Sequence, residues 1–147
     1  MKQSNPKGFV LVYILLHSDV YLCRLTYVSQ NDRVLLDVRT SEEYRGEIFM
    51  MKPPEGTERG GHIPGAIHIE HTRTLNADGT FRSAQELYDI YSSYGVTPEK
   101  EIFPYCAIGG RSSSTWFVLK YLLGYPNVRN YDGSWNEWSR LYNSAIA

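Results

Sequence analysis

From residue 34 onward, short apolar runs alternate with segments that carry helix-start signals. Val34–Val38 is an apolar run holding a single acid, the pattern of a parallel strand that is buried on both faces. Repeated strand–helix units of this size form a parallel sheet with helices on both faces, so the sequence predicts a doubly wound α/β domain. The further strand candidates are Ile67–Ile69, Ile102–Tyr105 and Val128–Tyr131.

The expected helices are marked by capping boxes, in which Ser or Thr is followed three residues later by Glu. Leu87, Ile90 and Tyr91 then lie at helical spacing, and Gly95 closes that helix. Trp116–Leu123 is apolar nearly all round, which predicts a well-buried helix. The capping pairs are Thr40 with Glu43, Ser83 with Glu86, and Ser134 with Glu137.

Pro104 conflicts with the strand expected at Ile102–Tyr105. Proline has no N–H group to donate to a β-ladder. We therefore expect either that the strand ends before Pro104 or that a bulge lies there.

The chain has 147 residues, which is enough for one ordinary domain and too few for two. Hydrophobic residues make up 42% of the chain and charged residues 21%, so a packed core is expected. The net charge of −1 disfavours a nucleic-acid binder, which usually carries a basic excess. The only two cysteines are Cys23 and Cys106, which excludes a disulfide-rich scaffold and a four-cysteine zinc site.

An apolar run near the start of the chain, Phe9–Leu16, is too short to span a bilayer, which needs about 20 residues, so no membrane partner is expected. No small-residue cleavage site follows, and we interpret the run as a strand or helix that packs on the domain. Helical spacing predicts a helix within Asp19–Val28, where Cys23 is interpreted as core packing. Residues 1–33 are thus an N-terminal extension, and 34–147 form the main domain.

The chemistry is expected at Cys106, which ends a predicted strand and precedes a glycine-containing loop and Arg111. Backbone N–H groups in such a loop, together with the helix N-terminus, stabilise an anion. A free cysteine has a pKa of about 8.5, which such a setting lowers to roughly 3.5–7.5, so Cys106 is predicted to be a nucleophilic thiolate. The alternative, a structural cysteine before a tight turn, leaves the glycines and the arginine without a role. The loop residues are Ala107, Ile108, Gly109 and Gly110.

From Val34 to Trp138 the sequence resembles the rhodanese domain, and most closely the catalytic half of thiosulfate sulfurtransferases. The resemblance covers about 100 residues in matching order and implies a single rhodanese-like domain with a five-stranded, doubly wound parallel sheet. Four segments carry it: Leu36–Arg39, Gly61–Ala66, Cys106–Arg111 and Tyr131–Trp138.

The resemblance implies transfer of sulfane sulfur in two steps. The Cys106 thiolate takes the outer sulfur from a small sulfur-containing anion such as thiosulfate, and a thiophilic acceptor (cyanide or a cellular thiol) then removes it from the persulfide. The loop residues Ala107–Gly110 bind the terminal sulfur, and Arg111 holds the anionic donor or orients the loop. This cycle needs no metal or organic cofactor.

Supporting roles follow from the same resemblance. Asp37 is expected to orient the neighbourhood of the loop or to cap its strand, with Arg39 beside it at the strand edge. Arg59 either leans over the pocket or is solvated. His62, in a Gly-His-Ile-Pro-Gly turn, is expected to make a structural hydrogen bond rather than to act as a base.

Two features depart from the family pattern. Many thiosulfate sulfurtransferases have a basic residue one or two places after the cysteine, where this chain has Ala107 and Ile108. Thiosulfate is therefore expected to be a poor donor, and a less charged or protein-bound persulfide the natural one. The closest relatives usually contain two rhodanese-like domains, whereas one is expected here. The face left uncovered then favours self-association or a partner domain.

Other functions stay open. A rhodanese module that carries sulfur or docks a partner without turning over small donors is the main alternative. A phosphatase or arsenate reductase needs one more loop residue, which would place the arginine at the position of Ser112. A reactive thiol also implies a reducing compartment, and we expect the cytoplasm.

Overall fold

The computed structural model describes residues 12–14, 23–25, 32–140 and 146–147. At its centre is a parallel sheet of three strands, in which β3 lies between β4 and β5. In chain order the strands are β1 (Val12–Ile14), β2 (Cys23–Leu25), β3 (Arg33–Asp37), β4 (Ile67–His68) and β5 (Glu101–Tyr105). The helices are α1 (Ser41–Arg45), α2 (Ala84–Ser93), α3 (Gly110–Phe117) and α4 (Ser134–Trp138), with a 3₁₀ turn at His71–Thr74.

The α/β fold with a parallel sheet is confirmed, but among the described residues this sheet has three strands and not the expected five. Pro104 explains why no full strand pairs with the outer edge of β5. It lies inside β5 opposite Leu36, without a bulge or an early end, so both expectations for it were wrong. The side of Pro104 that lacks an N–H faces away from β3, towards residues 127–131. That segment hydrogen-bonds to the N–H and carbonyl of Ile102 and to the carbonyl of Pro104. The strand expected at Val128–Tyr131 is therefore reduced to an isolated parallel bridge at Val128.

Side chains alternate between two hydrophobic clusters, because successive residues of a strand point to opposite faces of the sheet. Val34 and Leu36 join the cluster that α2 and α3 cover, and it also contains Cys106. Leu35 and Phe103 join the opposite cluster, where the tryptophans of α4 pack. Helices on both faces thus bury the sheet and fix where its carboxyl ends lie.

Two of the three capping boxes are confirmed, at Thr40 with Glu43 and at Ser83 with Glu86. The helix expected at Trp116–Leu123 is present, as the end of α3 and a π-helical continuation (Val118–Leu122). It is not buried all round, because only one stripe of a helix can face the sheet. Val118 and Leu119 are buried, whereas the exposed side chains are Phe117, Tyr121 and Leu122.

The N-terminal strands β1 and β2 pair in antiparallel fashion, with Tyr13 opposite Arg24. The Phe9–Leu16 run therefore supplies a strand, one of its two expected forms. The helix expected within Asp19–Val28 is wrong at Cys23–Leu25, which is extended. The role expected for the Cys23 side chain lies outside what the structure describes.

Candidate active site

The Cys106 thiol lies directly after β5, at the sheet edge where parallel strands place their carboxyl ends. Its side chain is buried, with only 1% of the residue exposed. The Gly109 N–H donates to Cys106 Sγ at 3.2 Å, and the Ser112 hydroxyl lies 3.6 Å from the same atom. Helix α3 begins at Gly110, so its N-terminal end faces the sulfur.

Burial and hydrogen bonding act on the Cys106 pKa in opposite directions. Burial raises the pKa because it disfavours the charged thiolate. Hydrogen bonds from the Ser112 hydroxyl and from the N–H groups of Ser112, Ile108 and Gly109 lower it, and together they prevail. The pKa of Cys106 is therefore lowered, which favours a thiolate nucleophile.

Gly109 permits the tight curl of the loop. Its φ of 91° lies in the left-handed region, and a Cβ at this position would meet Asp132 Oδ1 at 2.7 Å. A side chain here would thus be strained twice, by the backbone conformation and by the contact.

The first residues of α4 hold the loop from the other side. The Ser134 hydroxyl accepts the Cys106 N–H at 3.1 Å and donates to the Tyr131 carbonyl at 2.8 Å. The N–H groups of Trp135 and Asn136 donate to the carbonyls of Cys106 and Ala107, each at 3.0 Å. The capping box expected at Ser134 is therefore wrong, because this hydroxyl bonds the Cys106 loop instead of its own helix.

Arg111 is paired with Glu43 of α1. Two hydrogen bonds join the groups, at 2.6 Å and 2.8 Å, and the Glu43 side chain is only 1% exposed. Burial would raise the Glu43 pKa, but the hydrogen bond and charge of Arg111 lower it below its usual value. The hydrogen bond from Glu43 raises the Arg111 pKa in turn. The positive charge of Arg111 is thus compensated by the Glu43 carboxylate within the site.

A cavity of about 570 Å³ opens above Cys106. Ala107 is nearly buried, whereas Ile108 is 62% exposed at the mouth. The residues that line the cavity are Thr40, Glu43, Ile48, Met50, Met51, Cys106, Ala107, Ile108, Gly110 and Arg111.

The Cys106 loop places its sulfur at the floor of a cavity, with α3 behind it. Beyond this loop, a family model matches most of the chain. The family model of the rhodanese-like domain matches residues 26–141. The chain belongs to the rhodanese-like domain family.

Curated relatives of this rhodanese-like chain have names connected with sulfur transfer. A sulfur carrier protein of Thermus thermophilus, TtuD, is 50% identical over 133 residues, which are 89% of this chain and 47% of the relative. A protein of Haloferax volcanii, provisionally named thiosulfate sulfurtransferase, is 51% identical over 76% of this chain and 40% of its own. The chain thus spans less than half the length of either relative.

Solved structures show the same rhodanese-like architecture. An anaerobic ergothioneine biosynthesis enzyme from Chlorobium limicola, in complex with trimethyl histidine, matches with a TM-score of 0.70 and 35% identity over 78% of this chain and 28% of that one. A variant of EanB that bears a cysteine persulfide, with ergothioneine, matches equally well, with a TM-score of 0.70, 35% identity and the same 78% and 28% coverage.

Asp37 and Arg39 form a buried ion pair beside the rhodanese-like loop, and neither lines the cavity. The guanidinium bonds both carboxylate oxygens, with Nη2 to Oδ2 at 2.6 Å, and also donates to the Gly61 carbonyl at 2.8 Å. It stacks over the Trp135 ring at 4.6 Å. The pair therefore connects the end of β3 with α4, the element that holds the Cys106 loop.

Arg59 and His62 contact other parts of the chain than the cavity. Arg59 Nε donates to the Ser139 carbonyl at 2.6 Å, and Arg59 is absent from the cavity lining. His62 Nδ1 lies 2.9 Å from the Tyr44 carbonyl, and its ring stacks on Tyr44. These contacts place both residues in the packing around the rhodanese-like site.

Several site residues escaped the sequence analysis. The sequence pattern predicts only helix caps for Glu43 and Ser134, and it indicates no contact between Ser112 and the sulfur. Met50 and Met51 lie in a Gly- and Pro-rich stretch, residues 46–61, whose composition is typical of a loop and indicates no binding role. The Tyr131–Trp138 motif was the one available signal, since it pointed to Ser134 without indicating what its hydroxyl bonds.

Within the part of the chain that the structure describes, no group of three or more His, Cys, Asp or Glu side chains is placed to hold a metal ion. Among those same residues, no helix is both long and apolar enough to cross a membrane.

Proposed function

We propose that the protein is a sulfurtransferase that moves sulfane sulfur from thiosulfate or a similar donor to cyanide or a cellular thiol. The observation that supports it most directly is the Cys106 thiol, which receives hydrogen bonds from Gly109 and Ser112 at the floor of an open cavity. The names of the relatives support the same chemistry. A reducing compartment such as the cytoplasm suits the free thiol.

The proposed cycle has two displacements at Cys106 Sγ. The thiolate attacks the outer sulfur of thiosulfate, so the Sγ–S bond forms as the S–S bond of the donor breaks and sulfite leaves with its electron pair. The N–H groups of the loop stabilise the negative terminal sulfur of the persulfide. Cyanide or a thiolate then attacks that sulfur and restores the Cys106 thiolate.

Arg111 is proposed to orient the loop, one of its two expected roles, because two hydrogen bonds fix its guanidinium to Glu43 and it also interacts with Cys106. Asp37 and Arg39 are proposed to act as positioning residues through Trp135. Residues 34–147 are proposed as the catalytic domain, and limited proteolysis that removes 1–33 while sulfur uptake persists would support that boundary.

The test is mass spectrometry after exposure to thiosulfate, followed by thiocyanate formation with cyanide. We expect a gain of one sulfur atom on the peptide that contains Cys106, and loss of both signals in Cys106→Ser. The matched variant Cys23→Ser should keep both. Sulfur uptake that persists in Cys106→Ser would contradict the proposal.

A sulfur carrier that hands sulfur to a partner is the second candidate, which the name of the Thermus relative favours. It predicts the same adduct on Cys106 with very slow turnover of cyanide. Hydrolysis of an aryl phosphate without any sulfur adduct would instead support a phosphatase, which the four-residue spacing between Cys106 and Arg111 disfavours.

Self-association is proposed on a separate surface. Phe117 lies between Phe81 and Tyr121, with ring centroids 6.1 Å and 5.5 Å away, and all three side chains are exposed. Exposed apolar patches of this kind mark interaction sites. Sedimentation of a concentrated sample should show a dimer that Phe117→Ser weakens, and a strictly monomeric protein would contradict the proposal.

A further inference from the structure

The cavity above Cys106 is large for an inorganic donor. Its volume of about 570 Å³ falls within the range of roughly 300–1,000 Å³ that is typical of sites for organic molecules. Thiosulfate is a small tetrahedral anion and would leave most of this space to water.

The charges at the cavity do not favour a dianion. Glu43 and Arg111 are the charged residues of the lining, and they neutralise one another at 2.6 Å and 2.8 Å. Lys52, which follows Met51 in the chain, pairs with Glu55 at 2.8 Å. Since the attacking Cys106 thiolate is itself negative, a doubly charged donor meets more repulsion than a singly charged or neutral one.

The mouth of the cavity is apolar and open to water. Met51 is 92% exposed and Ile108 62% exposed, and Met50 and Ile48 continue this surface towards the floor. An apolar group that covers these side chains would remove hydrocarbon surface from water, which favours its binding. Methionine adapts its unbranched side chain to ligands of different shape.

The two methionines are held at the mouth by a tight turn. The Phe49 N–H donates to the Lys52 carbonyl at 2.6 Å, and the Met51 N–H donates to the Phe49 carbonyl at 2.9 Å. The Phe49 side chain is buried, which anchors the turn to the core, and Met50 adopts a φ of 63°. A strained, anchored turn that presents apolar side chains to water calls for a functional explanation.

We infer that this surface, the methionine rim (Ile48, Met50, Met51 and Ile108), selects organic sulfur donors, whose sulfane sulfur is carried by an apolar group, over thiosulfate. Met51 is then a specificity-determining residue. The inference rests on the proposed function, since the same Cys106 thiolate accepts the sulfur.

Organic persulfides and thiosulfonates both supply that sulfur. With a persulfide, Sγ–S forms as the S–S bond of the donor breaks, and the organic thiolate that leaves takes up a proton. With a thiosulfonate, the sulfur–sulfur bond breaks in the same way and a sulfinate leaves. The apolar group stays in the leaving molecule, against the methionine rim, throughout either displacement.

Benzenethiosulfonate and methanethiosulfonate form a matched pair of donors, because both are monoanions that release a sulfinate and they differ in the apolar group. For each donor, kcat/KM for thiocyanate formation is divided by the rate constant of its reaction with a free thiol in solution. We expect this normalised value to be about tenfold higher for benzenethiosulfonate than for methanethiosulfonate. The same normalised value should be lowest for thiosulfate.

Met51→Gln keeps the length of the side chain and adds polarity, and Met51 is exposed enough for the variant to fold. We expect it to reduce the benzene-to-methane ratio several-fold, with a smaller effect on kcat/KM for thiosulfate, which has no apolar group to contact Met51. Met51→Leu should keep the ratio. Leu122→Gln, on an exposed helix surface away from the cavity lining, controls for a general loss of apolar surface.

An unchanged ratio in Met51→Gln, or a higher normalised value for thiosulfate than for both thiosulfonates, would overturn the inference while the sulfur adduct on Cys106 still forms. If none of the three donors places sulfur on Cys106, the proposed function itself fails. The two failures are thus distinguishable by the adduct.

Discussion

At the scale of single residues, the site depends on how the Cys106 thiolate is solvated by the protein. Water is largely excluded from Sγ, so its negative charge depends on donors that the loop fixes in place, chiefly the N–H of Gly109 and the hydroxyl of Ser112. Because the Cys106 pKa is lowered, the reactive thiolate persists to a lower pH than in a free cysteine and is lost as the pH falls through that lowered pKa.

Ser112→Ala removes a hydrogen bond that lowers the Cys106 pKa, so we expect the pKa to rise. The acidic limb of the pH profile for alkylation of the thiol should move to higher pH. The pH at which the ultraviolet absorbance of the thiolate appears should rise in the same way. Ser113→Ala is the matched control, because the Ser113 hydroxyl is exposed and donates to the Gly110 carbonyl. Equal pH profiles for the two variants would contradict the assignment.

Glu43→Gln keeps the shape of the side chain and removes the charge that compensates Arg111. The ratio of kcat/KM for thiosulfate to that for methanethiosulfonate should rise several-fold, since the dianion gains more from the released positive charge. The rise should shrink at high salt. Glu47→Gln, in the exposed pair with Arg45, should leave the ratio unaltered, and a ratio that also stays constant in Glu43→Gln would refute the electrostatic argument.

Sequence patterns revealed Cys106 because its loop is continuous in sequence, so the glycines and Arg111 were visible together. They did not reveal the partners of that loop. Ser134 lies 28 residues from Cys106, and Glu43 lies 68 residues from Arg111. Both match a local capping pattern, and Glu43 satisfies its cap and the ion pair at once, whereas the tertiary contact displaces the cap at Ser134.

At the scale of elements, the Cys106 loop is shaped by the contacts that α3 and α4 make with it. Helix α3 supplies the N–H and hydroxyl of Ser112 to the sulfur, and the residue just before the helix supplies the Gly109 N–H. Helix α4 supplies N–H groups to the carbonyls of Cys106 and Ala107. The close approach of Gly109 to Asp132 lets the two helix ends face each other across so short a loop. The strand–helix order was predictable, but this mutual arrangement of helix ends was not, because it depends on contacts between distant segments.

Gly109→Ala should destabilise the protein by at least about 1–2 kcal/mol, because the backbone is left-handed there and the new methyl group meets Asp132. Urea unfolding measures the loss, and sulfur uptake by Cys106 should slow in parallel. In Gly110→Ala a Cβ meets no atom within 4 Å outside its own helix, so stability should stay equal or rise by up to about 1 kcal/mol. Similar losses in both variants would refute this account of the loop.

At the scale of the whole molecule, the Asp37–Arg39 pair connects the sheet with segments from both sides of the site. The Arg39 side chain is 1% exposed, and its guanidinium touches the carboxylate, the Gly61 carbonyl and the Trp135 ring. The sequence placed both residues at the strand edge, but it gave no sign that the arginine is buried, since arginines are mostly exposed.

Arg39→Met leaves the buried Asp37 carboxylate without its partner, and we expect a loss of about 3–5 kcal/mol in the free energy of unfolding. The measurement is the urea midpoint at a constant m-value. Arg45→Met breaks the exposed pair with Glu47 and should leave the midpoint nearly unchanged. Equal midpoints for the two variants would show that the buried pair does not stabilise the fold.

Pro104 also has a consequence for motion. The segment around Val128 forms one bridged residue pair and three main-chain hydrogen bonds with β5, whereas β3 and β5 form a continuous ladder of five residue pairs. Opening the segment therefore breaks fewer contacts, and α4 with Ser134 follows it directly in the chain. Cys106 Sγ thus lies between the sheet interior, where the strands are continuously paired, and an outer edge that opens more easily. In the proposed cycle Cys106 carries one extra atom as a persulfide, and a small displacement of this outer edge is the least costly way to accommodate it.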